Sequence, residues 1–506
     1  MGRKNGKSNK GSNKLPKESS ISEVIVPHRV GKYKISPQKR NELNQLVDKL
    51  LKVTSVARSA GNSNVKKDFE THLQIHKILT KIMILESDIN IPLPSRNENA
   101  ERELLAWLES NGVEIDGVEI AQFSGYGYGL KAKRDLAEGE KIITIPRKVT
   151  FCQETFTNSL LDKLAEIDTM VRLMPNVYIS LLLLIERFRT DKPSFFTPYI
   201  NMLPNSYTTI LYFSPEELQE LKGSPTLESA LKQCRNIARQ YAYFYNIFQN
   251  KCDPASEILR DVFTYDQYRW AVSTVMTRQN FIPTYDCSIN NALIPMWDLA
   301  NHSNGKISTN YNLNTDSSEC FAWRDFVAGE QVFIFYGARS NADLLVHNGF
   351  IYPPNNVDSY KIRLGVSKSD PLEYLKSLLL QRLELPMAAD FSILCGQLPI
   401  ENKLLAFVRI FNMNQEQLQY WIDHDRSTDL MHVDCALETE LDNKTWSFLQ
   451  ARIKLLATLY PTKLEDDLKI DLDALTEHKK MAVQLRICEK SILQRASEYV
   501  EQRIKS

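Results

Sequence analysis

Between residues 36 and 88 the apolar side chains recur at intervals of three and four: Leu43, Leu46, Val47, Leu50 and Leu51, then Ile75, Ile78, Leu79, Ile82 and Leu85. That is the repeat of helices burying one stripe, so two helices are expected here. Pro92, Pro94 and Ser95 interrupt the repeat; a short helix over 101–110 follows and stops at Asn111-Gly112. The period then changes. Over 118–151 the runs VEIAQF, GYGYGLKAKRDL and KIITIPRKVTF are short, β-branched and broken by glycine, which predicts antiparallel strands. A helical repeat returns over about 155–270 in ISLLLLIERF, EELQELKG, ALKQCRNIARQYAYFYNIF and DQYRWAVSTVM. Strand signals resume at ALIPMW, SECFAWRDF and EQVFIFYG, with turns at Asn304-Gly305 and Ala328-Gly329. From about 360 onward long helical patterns dominate, as in PLEYLKSLLLQRLEL, KLLAFVRIFN and WSFLQARIKLLATLY. The predicted class is α+β. A β core over 95–345, interrupted by a helical insertion at about 155–265, follows a helical lead-in at 36–94 and precedes an all-α domain at 360–500.

Composition narrows the function classes. With 43% hydrophobic and 25% charged residues the 506-residue chain suits soluble globular domains. Lys plus Arg and Asp plus Glu are each 62, so there is no overall positive field to hold nucleic acid or an anionic membrane. Residues 1–17 nevertheless carry Arg3, Lys4, Lys7, Lys10, Lys14 and Lys17 without an acid. With almost nothing apolar around them, residues 1–35 are expected to be a disordered basic arm. Nuclear import or RNA tethering through this arm stays open, beside the simpler reading of a solvated terminus. No apolar segment follows it, so a secretory signal is not expected, and Gly6 stands where myristoylation wants Ser or Thr. The longest aliphatic stretch, 179–185, is far short of the ~20 residues a bilayer needs. Eight cysteines without a C-x-x-C pair argue against a zinc module or a disulfide framework. His72 and His76 lie four apart but lack the H-E-x-x-H base, so no metal site is expected.

Four fragments carry candidate chemistry. Gly125-Tyr126-Gly127-Tyr128-Gly129 either forms a hairpin turn or lets backbone groups approach a ligand without a Cβ in the way. Trp297-Asp298-Leu299-Ala300-Asn301-His302 crowds carboxylate, amide and imidazole at the end of a buried run, as a capped turn or a ligand site. In Phe333-Ile334-Phe335-Tyr336-Gly337 a tyrosine closes an apolar strand, with Arg339 just beyond. Arg278-Gln279-Asn280 ends the helix DQYRWAVSTVM, where polar residues are ordinarily capping groups.

In this order the fragments resemble the SET-domain methyltransferases of the class related to the Rubisco lysine methyltransferase. The strings NIARQYAYFY, YRWAVSTVMTRQN, ALIPMWDLANHSNG and FIFYGARSNA are similar to the actin-histidine N-methyltransferases within it. The resemblance covers about 95–500. It implies a SET domain over 95–345, a C-terminal substrate-binding domain, S-adenosyl-L-methionine as cofactor and a histidine ring nitrogen of actin as methyl acceptor. Carried over, Tyr126, Gly127 and Tyr128 touch the cofactor chiefly through backbone. Asn301 and His302 receive the adenine, with Asp298, Leu299, Ala300 and Arg278 completing the pocket. The family's glycine turn usually reads Glu-Gly-Phe-Gly, so Tyr126 and Tyr128 are departures, as is Asn348 for a serine. An arginine for the cofactor's carboxylate maps to Arg96, although spacing puts Asn97 in register.

The catalytic set implied is Asn280, Trp297, Tyr336 and Arg339. A neutral imidazole already offers a lone pair near pH 7, whereas lysine must first lose a proton. Histidine therefore needs orientation more than a base. An amide such as Asn280 bonds one ring nitrogen and frees the other, Trp297 and Tyr336 wall the ring, and Arg339 positions the substrate. The protein is expected to be a monomer, cytoplasmic, with a nuclear location also open. Lysine methylation on the same fold and a non-catalytic peptide-binding adaptor stay open.

Overall fold

Ser36 starts the first helix, Pro37–Ser55: its hydroxyl accepts a hydrogen bond from the Lys39 amide at 3.3 Å, and Pro37 takes the first helical position, where no N–H is needed. Asn64 caps the second, Val65–Glu86, in the same way. The two helices pack on one another and on the long insertion helix Thr226–Asn250. The structure, a computed structural model, describes residues 34–56, 64–93, 96–156, 158–286, 288–435 and 437–505. Nearly all of the basic arm, together with Pro94, Ser95 and Cys287, lies outside them. The third helix, Glu98–Ser110, starts three residues earlier than its apolar repeat suggests, because Asn97 caps it by accepting from Asn99 and Ala100.

Strands β1 (Glu114–Ile115), β2 (Val118–Phe123), β3 (Gly127–Ala132), β4 (Lys141–Pro146) and β5 (Phe151–Cys152) precede the insertion. After it come β6 (Asn280–Pro283), β7 (Ile289–Leu293), β8 (Asn301–His302), β9 (Thr309–Asn312), β10 (Ser317–Phe321) and β11 (Gln331–Ile334). They form three small sheets of order β1-β4-β10-β9, β2-β3-β11-β8 and β5-β7-β6. Every sheet mixes strands from before and after the insertion. Both ends of the insertion are closed on one strand, since Cys152 of β5 and Asn280 of β6 flank Ala292 of β7. The pairs are antiparallel except β8 with β11, whose parallel register sets Asn301 beside Phe333 and His302 beside Ile334. β6 and β9 are only four residues each, too short for the apolar pattern to predict them. The insertion also runs past its expected limit near 265: its last helix, Tyr265–Arg278, delivers Arg278.

The C-terminal region departs from the all-α expectation. β12 (Ser359–Gly365) and β13 (Ala388–Leu394) form an antiparallel ribbon. In β12, Tyr360, Ile362 and Leu364 are buried while Lys361, Arg363 and Gly365 face out. This period of two spans too few residues to stand out among the helical repeats around it. The ribbon and its helices enclose a core separate from the one that runs from Leu43 to Val346. The last helix, Glu477–Lys505, serves both: Met481 and Leu485 join the first core, Ile492 and Val500 the second. Asp467 binds it through Arg486 and Lys490, and Arg486 reaches Glu220 of the insertion at 2.8 Å. Among the described residues no helix is long and apolar enough to cross a membrane.

His72 faces the core, buried, with no hydrogen bond to either ring nitrogen among the described residues. Burial, and then neighbouring His76, lower its pKa from 6.5 to about 4. The unfolded chain therefore binds the extra proton first, and this residue's contribution to stability is present above pH ~6.5 and lost as the pH falls toward 4. His72→Leu should flatten the pH dependence of stability in that window by up to about 1.4 kcal/mol per pH unit. Denaturant midpoints from pH 4 to 7 check this, and an unchanged slope would reject it.

Candidate functional site

Arg278 ends its helix, where unpaired carbonyls favour a cation. Its Nη1 donates to the Asp298 carbonyl at 2.6 Å and lies 3.3 Å from the Asp298 carboxylate. Burial alone would lower the Arg278 pKa, but the charge of Asp298 and the phenols of Tyr207, Tyr199 and Tyr336 raise it above its ordinary value. Asp298 sits in a single helical turn, Trp297–Leu299, entered through Met296 at φ +73°. A non-glycine residue there costs ~1–3 kcal/mol, which the packed surroundings must offset. Tyr199 donates to the same carboxylate at 2.6 Å.

Arg96 lies beside this pair. Its Nε donates to the Met202 carbonyl at 2.7 Å and its guanidinium stands 5.3 Å from the centre of the Tyr128 ring. Its Nη2 is buried without a partner among the described residues. Burial, and then Arg278, lower its pKa to about 10. Two enclosed guanidinium groups thus face one carboxylate, an excess of positive charge that an anionic ligand group would relieve. Asn97, the alternative in register, is used as a helix cap, so Arg96 is the residue turned inward.

The glycine-rich fragment is both a turn and a close approach. Gly125 in the turn and Gly127 at the start of β3 take φ +77° and +70°. At Gly129 a Cβ would lie 2.7 Å from Gln331 Nε2 and 2.9 Å from Asn301 Nδ2. Asn301 Nδ2 donates to the Tyr128 carbonyl at 3.1 Å. Tyr126 stands at the exposed rim, edge-on to Phe333 at 5.5 Å.

The parallel β8–β11 pairing carries the rest. His302 Nδ1 accepts from the Tyr336 amide at 3.2 Å, and its ring lies among Phe335, Tyr336, Phe350 and Tyr352. Burial, and then Arg339, lower its pKa to about 4, which keeps the acceptor lone pair free of a proton at neutral pH. The Tyr336 hydroxyl donates to the Ala300 carbonyl at 2.8 Å, and burial pushes its pKa up to about 12. Arg339 donates to Asn348 Oδ1 at 2.8 Å. Asn280 Nδ2 donates back to the Arg278 carbonyl at 3.1 Å, and its Oδ1 makes no hydrogen bond among the described residues.

These contacts join Arg96, Tyr128, Arg278, Asn280, Asp298, Ala300, Asn301, His302, Tyr336, Arg339 and Asn348 through shared neighbours. Trp297 and Leu299 are buried in the core beside them. Gly127 shapes the turn, and Tyr126 is peripheral. Two residues escape the sequence reading, Tyr199 and Tyr207. Tyrosines inside an apolar helical block read as packing, and no local signal marks their hydroxyls as pointing into the site.

Residues 127–337 match the SET domain family, and 367–493 match the Rubisco LSMT substrate-binding family. The actin-histidine N-methyltransferase of Gallus gallus is 41% identical over 436 residues, which span 85% of this chain and 73% of the relative. The chain belongs to the actin-histidine N-methyltransferase family. The Xenopus tropicalis member is 40% identical, over 91% of this chain and 79% of its own. The fold is also that of two solved structures, the SET domain of LSMT bound to lysine and AdoHcy (TM-score 0.65, 24% identity, 81% of this chain and 92% of the other) and Rubisco LSMT bound to AdoMet (TM-score 0.64, 24% identity, 80% and 92%).

Removing Asp298 leaves the Arg278 charge buried beside Arg96. Asp298→Ala should cost about 3–5 kcal/mol of stability. Urea unfolding measures it, and a loss under 1 kcal/mol would show that water or another group takes over the charge.

Proposed function

We propose that this protein transfers the methyl group of S-adenosylmethionine to a ring nitrogen of a histidine in actin. The observation that carries the reading is the Asn280 carboxamide: one N–H of its Nδ2 goes to the Arg278 carbonyl, and its Oδ1 is left as an open acceptor among the described residues. A neutral imidazole has one N–H and one lone pair. By accepting that N–H, Asn280 leaves the lone pair on the other nitrogen. The names of the relatives at about 40% identity agree with this substrate.

The residues present suit the methyl donor. Arg96, with its unpartnered Nη2, would take the carboxylate. The bare backbone at Gly129 and the amide of Asn301 would border the nucleoside. When bound, S-adenosylmethionine supplies a methyl carbon activated by a sulfonium. Tyr336 and Trp297 contribute walls that exclude water and face the cationic ring of the product. The Tyr336 hydroxyl is kept protonated and anchored on Ala300, so it is not the base. None is needed while the target imidazole is neutral. Arg339, steadied by Asn348, is placed to hold the substrate chain.

Incubation of the protein with labelled S-adenosylmethionine and actin, followed by peptide mass analysis, tests the reading; label on lysine would overturn it. Asn280→Ala should lower kcat/KM by roughly 10- to 1000-fold, the range for losing one orienting hydrogen bond. Near-normal turnover would remove that role. Under chemistry-limited conditions kcat/KM should fall about tenfold per pH unit below the target's pKa, near ~6.5 if unperturbed. A flat profile from pH 5 to 8 would count against attack by neutral imidazole. Arg96→Ala should raise KM for S-adenosylmethionine by roughly 10- to 100-fold with KM for actin unchanged; the reverse pattern would assign Arg96 to the protein substrate.

A further inference from the structure

Helix Thr197–Met202 belongs to the helical insertion, yet it holds both arginine environments of the site. Its Tyr199 donates to the Asp298 carboxylate at 2.6 Å, and its last carbonyl, Met202, accepts from Arg96 Nε at 2.7 Å. Five residues on, Tyr207 meets the same cluster. The hydrogen-bond direction there is set by its neighbours. Thr274 spends its hydroxyl proton on the Trp270 carbonyl at 3.0 Å, so across the 2.8 Å contact Tyr207 is the donor and Thr274 the acceptor. The Tyr207 oxygen therefore keeps its lone pairs for the positive charge of Arg278. Arg278 is then held by the Asp298 carbonyl and carboxylate, whereas Arg96 has no ion pair among the described residues and keeps Nη2 free.

We propose that Tyr199 and Tyr207 are positioning residues for the methyl-donor pocket: by holding the Arg278–Asp298 pair in place they keep one guanidinium neutralised by its carboxylate and leave the other, Arg96, for the ligand's carboxylate. This rests on the reading of S-adenosylmethionine as the donor. The insertion on this view completes the cofactor pocket as well as packing on the β core. Neither tyrosine touches the reacting atoms; each acts through a charged partner. Without the Tyr199 hydroxyl, Asp298 keeps only Arg278, which would turn toward the carboxylate and draw the nearby Arg96 environment with it.

The test compares Tyr199→Phe and Tyr207→Phe with Tyr178→Phe. Tyr178 is a tyrosine of the same insertion, as buried as Tyr199, that donates to Asp162 at 2.9 Å, with no bond to the site. Each substitution keeps the ring and removes one hydroxyl. Binding of S-adenosylhomocysteine is measured by calorimetry on the full chain, with KM for S-adenosylmethionine and for actin taken separately and Tm recorded. Tyr199→Phe and Tyr207→Phe should weaken S-adenosylhomocysteine binding roughly 10-fold and raise KM for S-adenosylmethionine in step, with KM for actin unchanged. Tyr178→Phe should lower Tm to a similar extent and leave binding as in the parent. The proposal is overturned if the two site variants bind like the parent, or if Tyr178→Phe loses as much affinity. Should Tyr199→Phe not fold, Tyr207→Phe alone decides. A parent protein that binds no S-adenosylhomocysteine is a separate outcome: it removes the methyl-donor reading and this proposal with it.

Discussion

The buried Arg278–Asp298 pair is the constraint on which the site turns. It joins the last residue of the helical insertion to the turn that precedes β8, two segments that fold as different kinds of structure. Enclosing two charges is costly, and only close geometry with further hydrogen bonds offsets it. The chain supplies those through Tyr199 and the Asp298 carbonyl. Once the pair is fixed, Asn280 follows two residues behind Arg278, and Asn301 and His302 follow three and four residues behind Asp298. The amide that would orient the target ring and the residues that would border the donor are therefore tied to one ion pair.

The interleaved sheets make that pairing possible. Because β5 and β6 both lie on β7, the insertion leaves and re-enters the β core at one place, and its length does not disturb the register. The parallel β8–β11 contact then brings together two motifs some thirty residues apart in sequence, so that Tyr336 reaches both His302 and Ala300. The last helix ties the C-terminal core to the insertion through Asp467, Arg486 and Glu220. Substrate-binding domain and site are thereby held to one frame.

Electrostatics divides the labour among similar groups. His302 and Tyr336 are kept neutral by burial, so each serves through a hydrogen bond rather than a proton transfer. Arg278 is paired with Asp298, whereas Arg96 keeps a buried Nη2 without a partner among the described residues. A site that retains one unsatisfied cation and one open amide acceptor suits a zwitterionic donor and a neutral ring.

Much of this was legible in the chain. Apolar periods marked the lead-in helices, the insertion and most strands, because burial of one face imposes those repeats wherever an element is long enough. The fragments around Gly127, Asn280, Asn301 and Tyr336 marked the site, since glycine, amide and aromatic residues at strand and helix ends are costly without a purpose. What the sequence left open was decided by contacts between distant segments. Arg96 rather than Asn97 faces the pocket because Asn97 is needed as a cap, and β12 pairs with β13 because a two-residue period in a short run stabilises nothing until a partner strand covers it. Tyr199 and Tyr207 became visible only in three dimensions: local pattern reports which side chains are apolar, while the direction of a hydroxyl depends on which charged group the fold sets against it.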